Sequence, residues 1–102
     1  MNNHFCNVIV VLGEDGDFVS LGQMSLDTRM KEVTDMVLTK KNLDGLGQHV
    51  FLGYMRPYKE IVLLPAEAKL SDAKSAIIRD TSTYVVDDIL LQGNLSESPP
   101  AG

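Results

Sequence analysis

Phe5-Cys6-Asn7-Val8-Ile9-Val10-Val11-Leu12, followed at once by Gly13-Glu14-Asp15-Gly16-Asp17, is the stretch on which the reading of this chain turns. The first eight residues are short, apolar and rich in β-branched side chains, which predicts a strand. Alternation places Cys6, Val8, Val10 and Leu12 on one face and Phe5, Ile9 and Val11 on the other. Asp-Gly between two apolar runs is a hairpin signal, because glycine reaches positive φ without a Cβ clash. A second strand is therefore expected from Phe18 to about Met24, with Gly22 marking a bulge or an open edge.

Working outward, Asp27 and Thr28 have the side chains that cap a helix start. Met30, Val33, Met36 and Val37 then recur at helical spacing, with Leu38 beside them, and are read as core. Asp27 and Glu32 sit at the positive end of the helix dipole, and Lys40 and Lys41 at the negative end. The span from Asn42 to Gly47 ends this helix. Val50 to Tyr54 reads as a third strand, Arg56-Pro57-Tyr58 as a turn, and Glu60 to Leu64 as a fourth strand stopped by Pro65. Ala66 to Ile78 is ambiguous: Ser71 and Asp72 could cap a short helix or 3₁₀ turn through Ala76. Thr81 to about Leu91 is expected to be the last strand, with Tyr84, Val85, Val86, Ile89 and Leu90 as its apolar members. Asp87 and Asp88 lie within it, so a bend or bulge is expected there.

The order is hairpin, helix, two strands, helical turn, strand. A sheet with one apolar face needs a cover, and the amphipathic helix provides it. The expected class is α+β: a ubiquitin-like β-grasp, a mixed β-sheet of about five strands covered by one main α-helix. It should occupy residues 4–92, with 93–102, polar and holding a Pro pair, as a disordered tail or linker.

Composition narrows the function classes. The chain has 102 residues, 44% hydrophobic and 23% charged, as expected of one globular domain. A single cysteine excludes an intrachain disulfide framework and fits a reducing compartment. The net charge of −5 argues against a nucleic-acid or anionic-membrane binder, which needs a basic face. No apolar run approaches the ~18 residues of a membrane span. Met1-Asn2-Asn3-His4 carries no lysine or arginine, and no small-residue cleavage site follows, so no signal peptide is expected.

No motif points to chemistry. Cys6 shares the Val8 and Val10 face and reads as a buried structural thiol. His4, Cys6 and His49 would give three metal ligands where a closed zinc site needs four, so no metal is expected. The acidic glycine loop lacks the ligand ladder of a calcium loop and the Gly-Lys-Ser/Thr of a phosphate loop. Tyr54 to Lys59 mixes aromatic and basic residues, but one such cluster on an acidic domain reads as a packed turn. Asp87 and Asp88 would need a cleft and a second site for acid–base catalysis, and the sequence signals neither. The expectation is no enzyme, no cofactor and no catalytic residue.

Several segments together resemble the Ras-association (RA) domain family. They are Ser25-Leu26-Asp27-Thr28, Lys31-Glu32-Val33 and Val37-Leu38-Thr39-Lys40-Lys41-Asn42-Leu43, then Val50-Phe51-Leu52-Gly53-Tyr54, Ile61-Val62-Leu63-Leu64-Pro65 and Thr83-Tyr84-Val85-Val86. The resemblance covers most of Phe5 to Leu91. It implies a ubiquitin-like fold and a non-catalytic module of a larger signalling protein, such as a guanine nucleotide exchange factor or another GTPase effector. It implies as partner a GTP-bound Ras- or Rap-family GTPase, whose sheet is extended by the module's second strand, here carrying Ser20 and Gly22. Arg29, Lys31, Lys40 and Lys41 would then meet the acidic effector surface. The setting so implied is cytoplasmic, with recruitment to membranes through the GTPase.

The chain departs from the family pattern in having no lysine or arginine before Arg29; the first connection carries only Glu14, Asp15 and Asp17. Weak GTPase binding is the expectation, each lost exposed pair being worth roughly 0.2–1 kcal/mol. The alternative is a ubiquitin-like docking or scaffolding domain that makes intra- or intermolecular contacts without a GTPase.

Overall fold

The computed structural model describes residues 4–13, 16–83 and 88–96. Strand β1 (Phe5–Leu12) pairs antiparallel with β2 (Asp17–Ser25), as the hairpin signal requires. Helix α1 (Met30–Lys40) follows, then β3 (His49–Met55), a 3₁₀ turn (Pro57–Lys59), β4 (Ile61–Leu63), helix α2 (Leu70–Thr81) and β5 (Asp88–Ser96). The fold is α+β: one mixed five-stranded sheet, order β2-β1-β5-β3-β4, with β5 parallel to β1 and antiparallel to β3.

The inward faces of the strands and two helices form one core. Cys6, Val8, Val10 and Leu12 are all buried, as their alternation predicts. In β2 the register slips opposite Val8 and Ile9, leaving Leu21 as the extra residue of a bulge. The slip lets Val19, Leu21 and Met24 all reach the core, which strict alternation would forbid. Gly22 holds the bulge at φ +76°, where a Cβ is strained.

Helix α1 buries Met30, Val33 and Val37, as the spacing predicts, but Met36 is exposed. It starts later than expected. Asp27 is exposed, and Arg29 precedes the first turn, its main-chain N–H donating to the Glu32 carboxylate at 3.2 Å. No glycine ends it: Asn42 takes φ +59°, the Asn42 N–H donates to the Thr39 carbonyl at 3.1 Å, and the Leu43 N–H to Leu38 at 2.8 Å. This is the Schellman arrangement with asparagine in the left-handed position.

Three expectations need correction. The cover is two helices, not one. The ambiguous segment is the twelve-residue α2, which buries Leu70, Ala73, Ala76 and Ile77. Its stripe is half alanine, so apolar spacing understates it. The last strand starts at Asp88, not Thr81, because α2 runs to Thr81 and Ser82 turns left-handed at φ +59°. Tyr84, Val85, Val86 and Asp87 lie outside the described residues. The strand also runs past Leu91: Gly93, Asn94, Leu95 and Ser96 pair with Leu52, Phe51, Val50 and His49, so they are sheet rather than tail. Residues 97–102 lie outside the described residues.

Gly93 explains how a polar stretch enters the core. A Cβ there would sit 2.8 Å from Leu12 Cδ2 and 2.9 Å from Val10 Cγ1, so β5 fits between β1 and β3 only without a side chain at this position.

Candidate functional site

The first candidate is the β2 edge. Strand β2 ends the sheet order, and among the described residues no strand pairs with its outer side. Ser20 is exposed beside Ile9 of β1, and Gly22 lies at the bulge two residues on. The two edge residues named from the sequence are thus on an open edge. The bulge divides that edge, and the regular stretch before it is Asp17 to Ser20.

The four basic residues do not form one patch. Arg29 and Lys31 converge on Glu67 in the segment before α2. The Arg29 guanidinium donates to the Glu67 main-chain carbonyl at 2.8 Å and lies 3.8 Å from its carboxylate, while Lys31 Nζ lies 3.8 Å from the other carboxylate oxygen. Lys41, at the far end of α1, sits 3.6 Å from Asp17 at the start of β2. At 1.5 Å rise per residue, Lys31 and Lys41 are about 15 Å apart along the helix. Lys31 also lines a groove of about 220 Å³ between α1 and β3, with Met30, Thr34, Leu38, His49 and Leu64. That groove is smaller than the ~300 Å³ of typical ligand pockets. Lys40 is exposed in the last turn. The ion pairs are solvent-exposed, worth about 0–1 kcal/mol each, so a partner's carboxylates could replace them.

A second polar cluster ties α2 to β3 and was missed from the sequence. The buried Tyr54 hydroxyl donates to the Asp80 carboxylate. Arg79 Nε donates to the same carboxylate at 2.8 Å, and Arg56 lies 3.7 Å from it and 3.2 Å from Glu60. The Arg79 guanidinium, and then the Tyr54 hydroxyl, lower the Asp80 pKa to about 2. The bond to Asp80, with burial, raises that of Tyr54. At neutral pH the acid is locked ionised and the phenol locked neutral, so neither exchanges protons as a catalytic pair must. Tyr54 and Asp80 are 26 residues apart, and only the Tyr54-to-Lys59 cluster hinted at the site. Within that cluster Tyr58 is 99% exposed, at φ +69°.

The remaining candidates do not assemble into a reactive site. Cys6 is buried, and desolvation pushes its thiol pKa up, away from the reactive thiolate. His49 stacks on Phe51 with ring centroids 6.2 Å apart, and His4 is exposed. Among the described residues no three His, Cys, Asp or Glu side chains gather as metal ligands. Among the same residues no helix is long and apolar enough to cross a membrane.

No family model and no curated protein matches the chain. Among solved structures it is similar to the C-domain of the Hsp90 co-chaperone Cns1 from Saccharomyces cerevisiae. The TM-score is 0.58 at 13% identity, over 88% of this chain and 59% of that one. It is also similar to a longer form of the same co-chaperone (delta69), with a TM-score of 0.59 at 13% identity, over 88% of this chain and 31% of that one. The chain thus spans less than two thirds of both structures. At this identity the likeness is one of fold alone.

Proposed function

We propose that the chain is a ubiquitin-like β-grasp domain, resembling the RA domain, and a non-catalytic docking module of a signalling protein whose partner adds a strand to β2. The observation that carries this reading is the edge itself. Strand β2 is nine residues long, holds no lysine, arginine or proline, and ends the sheet. Natural edge strands are usually blunted by such residues or by a bulge, and β2 has only the bulge. The regular stretch before the bulge, Asp17 to Ser20, offers main-chain donors and acceptors to an extended segment. The strand order, with β5 parallel to β1 at the centre, supports the β-grasp reading.

The first partner to test is a GTP-bound Ras- or Rap-family GTPase, which Lys41 beside Asp17 of β2 would meet at the edge, with Arg29, Lys31 and Lys40 as further candidate contacts. A second reading, docking within its own host or onto a scaffold without a GTPase, is favoured by the internal pairing of these bases. Glu67 and Asp17 already occupy three of the four. The experiment is a titration of isotope-labelled domain with each GTPase, in GTP-analogue and GDP forms, followed by backbone amide shifts. Shifts on β2 and α1 with the GTP form alone, weakened by Arg29→Ala or Lys31→Ala and by rising salt, support the GTPase. Silence at about 1 mM, where even contacts of about −4 kcal/mol register, removes the GTPase and leaves docking without one.

A further inference from the structure

Among the described residues the outward face of the sheet, opposite the helices, is almost without charge; it carries an apolar patch beside the polar Asn7, Ser20, Gln92 and Asn94. The strand segments β1 to β5 contain no lysine, arginine or glutamate at all. Register shows which residues face outward. Val11 lies beside Phe18, and Ile9 lies between Ser20 and Leu90. Phe18 is 70% exposed and Leu90 56% exposed. Phe5, at the end of the same face, is also exposed. Asp88 is the one carboxylate among the described residues of this face, and it accepts a hydrogen bond from Asn7 Nδ2 at 2.9 Å. Solvated sheet faces ordinarily alternate to polar residues on the outside. Here Phe18, Val11, Ile9 and Leu90 form a contiguous apolar patch within that face, the mark of an interaction surface.

We infer that this face packs against the same face of a second copy of the chain, forming a two-fold sheet-on-sheet dimer. Two observations select that occupant. The first is charge. The chain carries a net charge of −5, so two copies repel through most orientations. Among the described residues the outward sheet face brings together no like-charged groups except Asp88, which is already hydrogen-bonded. A neutral apolar surface needs no charge register and complements itself, as an isologous interface must. The second is area. Strands of 8, 9, 7, 3 and 9 residues, at ~3.3 Å per residue and ~4.8 Å spacing, give roughly 570 Å² per copy. Two such faces bury about 1,100 Å², just above the ~1,000 Å² that a specific interface must clear. Aligned sheets packed about 10 Å apart would interleave Phe18, Ile9 and Leu90 with their counterparts. The outer side of β2 stays open in this arrangement, so the dimer does not depend on edge docking.

The test is sedimentation equilibrium from about 1 μM to about 1 mM, the range over which a contact of −4 to −8 kcal/mol declares itself. The expected mass rises with concentration from 11.2 kDa to twice that value. Leu90→Lys and Phe18→Lys, at exposed positions, should keep the circular dichroism spectrum and thermal transition of the monomer. Both should raise the dissociation constant more than about tenfold. Ile78→Lys, on exposed α2 surface, should leave association unchanged. A chain that stays at 11.2 kDa throughout overturns the inference. So does a dimer that Leu90→Lys leaves intact, since an edge-to-edge pair through β2 does not involve central strand β5. A foreign partner that shields Leu90 while the chain alone stays monomeric also overturns it.

Discussion

Arg29 and Lys69 face each other across a single antiparallel bridge, and each is the residue before the first turn of a helix. Around this bridge the helix starts cap one another. The Met30 and Lys31 N–H groups donate to the carbonyls of Ala68 and Ala66 at 2.8 and 3.0 Å. Those of Leu70 and Ser71 donate to Thr28 and Leu26 at 2.8 and 3.0 Å. First-turn amides have no partner within their own helix and are usually satisfied by a capping side chain or water. Here the chain entering each helix satisfies the other.

Proline in a first helical turn is ordinarily cheap, since its missing N–H would be unpaired. Lys31→Pro should be costly here, because it removes a made bond and orphans the Ala66 carbonyl. The expected loss is about 1–3 kcal/mol, against at most ~0.5 kcal/mol for Lys31→Ala. Urea unfolding of the pair, with equal slopes, measures the difference.

Gly93→Ala should destabilise by about 1–3 kcal/mol, because the added methyl meets Leu12 and Val10 below 3 Å between central strands. Combining it with Val10→Ala, which removes one of the crowded methyls, should recover part of the loss. A double-mutant cycle by chemical denaturation reads that coupling.

Asp80 makes the stability depend on acid. Its folded pKa of about 2 lies below the ~3.9 of an unfolded aspartate, so the unfolded chain binds its proton first as pH falls. The contribution is fully present above about pH 5 and drains away between there and pH ~2. Asp80→Asn should be less stable at pH 7 and show a flatter decline through that window. Tyr54→Phe removes one of the two bonds that depress the pKa and should fall in between. Thermal melts at half-unit pH steps decide it.

Leu70→Ala should cost about 2–5 kcal/mol, the range for a fully buried leucine whose neighbours relax incompletely. That result distinguishes a helix integral to the core from a dispensable surface turn. Equilibrium denaturation supplies the number.

The features legible in the sequence are those carried by large side chains in regular alternation. Phe5 to Leu12 announces β1 residue by residue, and Met30, Val33 and Val37 announce α1. The Gly22 bulge was visible because glycine in a strand has few other uses. What stayed hidden is set by tertiary context. Helix α2 buries Ala73 and Ala76, whose small side chains barely register as an apolar stripe. The polar run through Gly93 and Asn94 reads as tail. It becomes strand because β1 and β3 lie on either side of it and only a glycine fits between them. The places of the basic residues at the two ends of α1 follow from the sequence, but their pairing with Glu67 and Asp17 is set by the tertiary fold.

The position of β5 sets an order of events during synthesis. Strands β1 and β2 form one hairpin and β3 and β4 another, and nothing but β5 joins them into a sheet. Both can form early, being local. Until Ile89 and Leu91 have left the ribosome, however, each hairpin has an apolar flank without its neighbour, and both inner edges are open to foreign strands. Closure of the domain therefore waits for the residues up to Ser96. A chain cut after Gln92 would keep Ile89 and Leu91 but lose four of the five pairings that hold β3 to the rest.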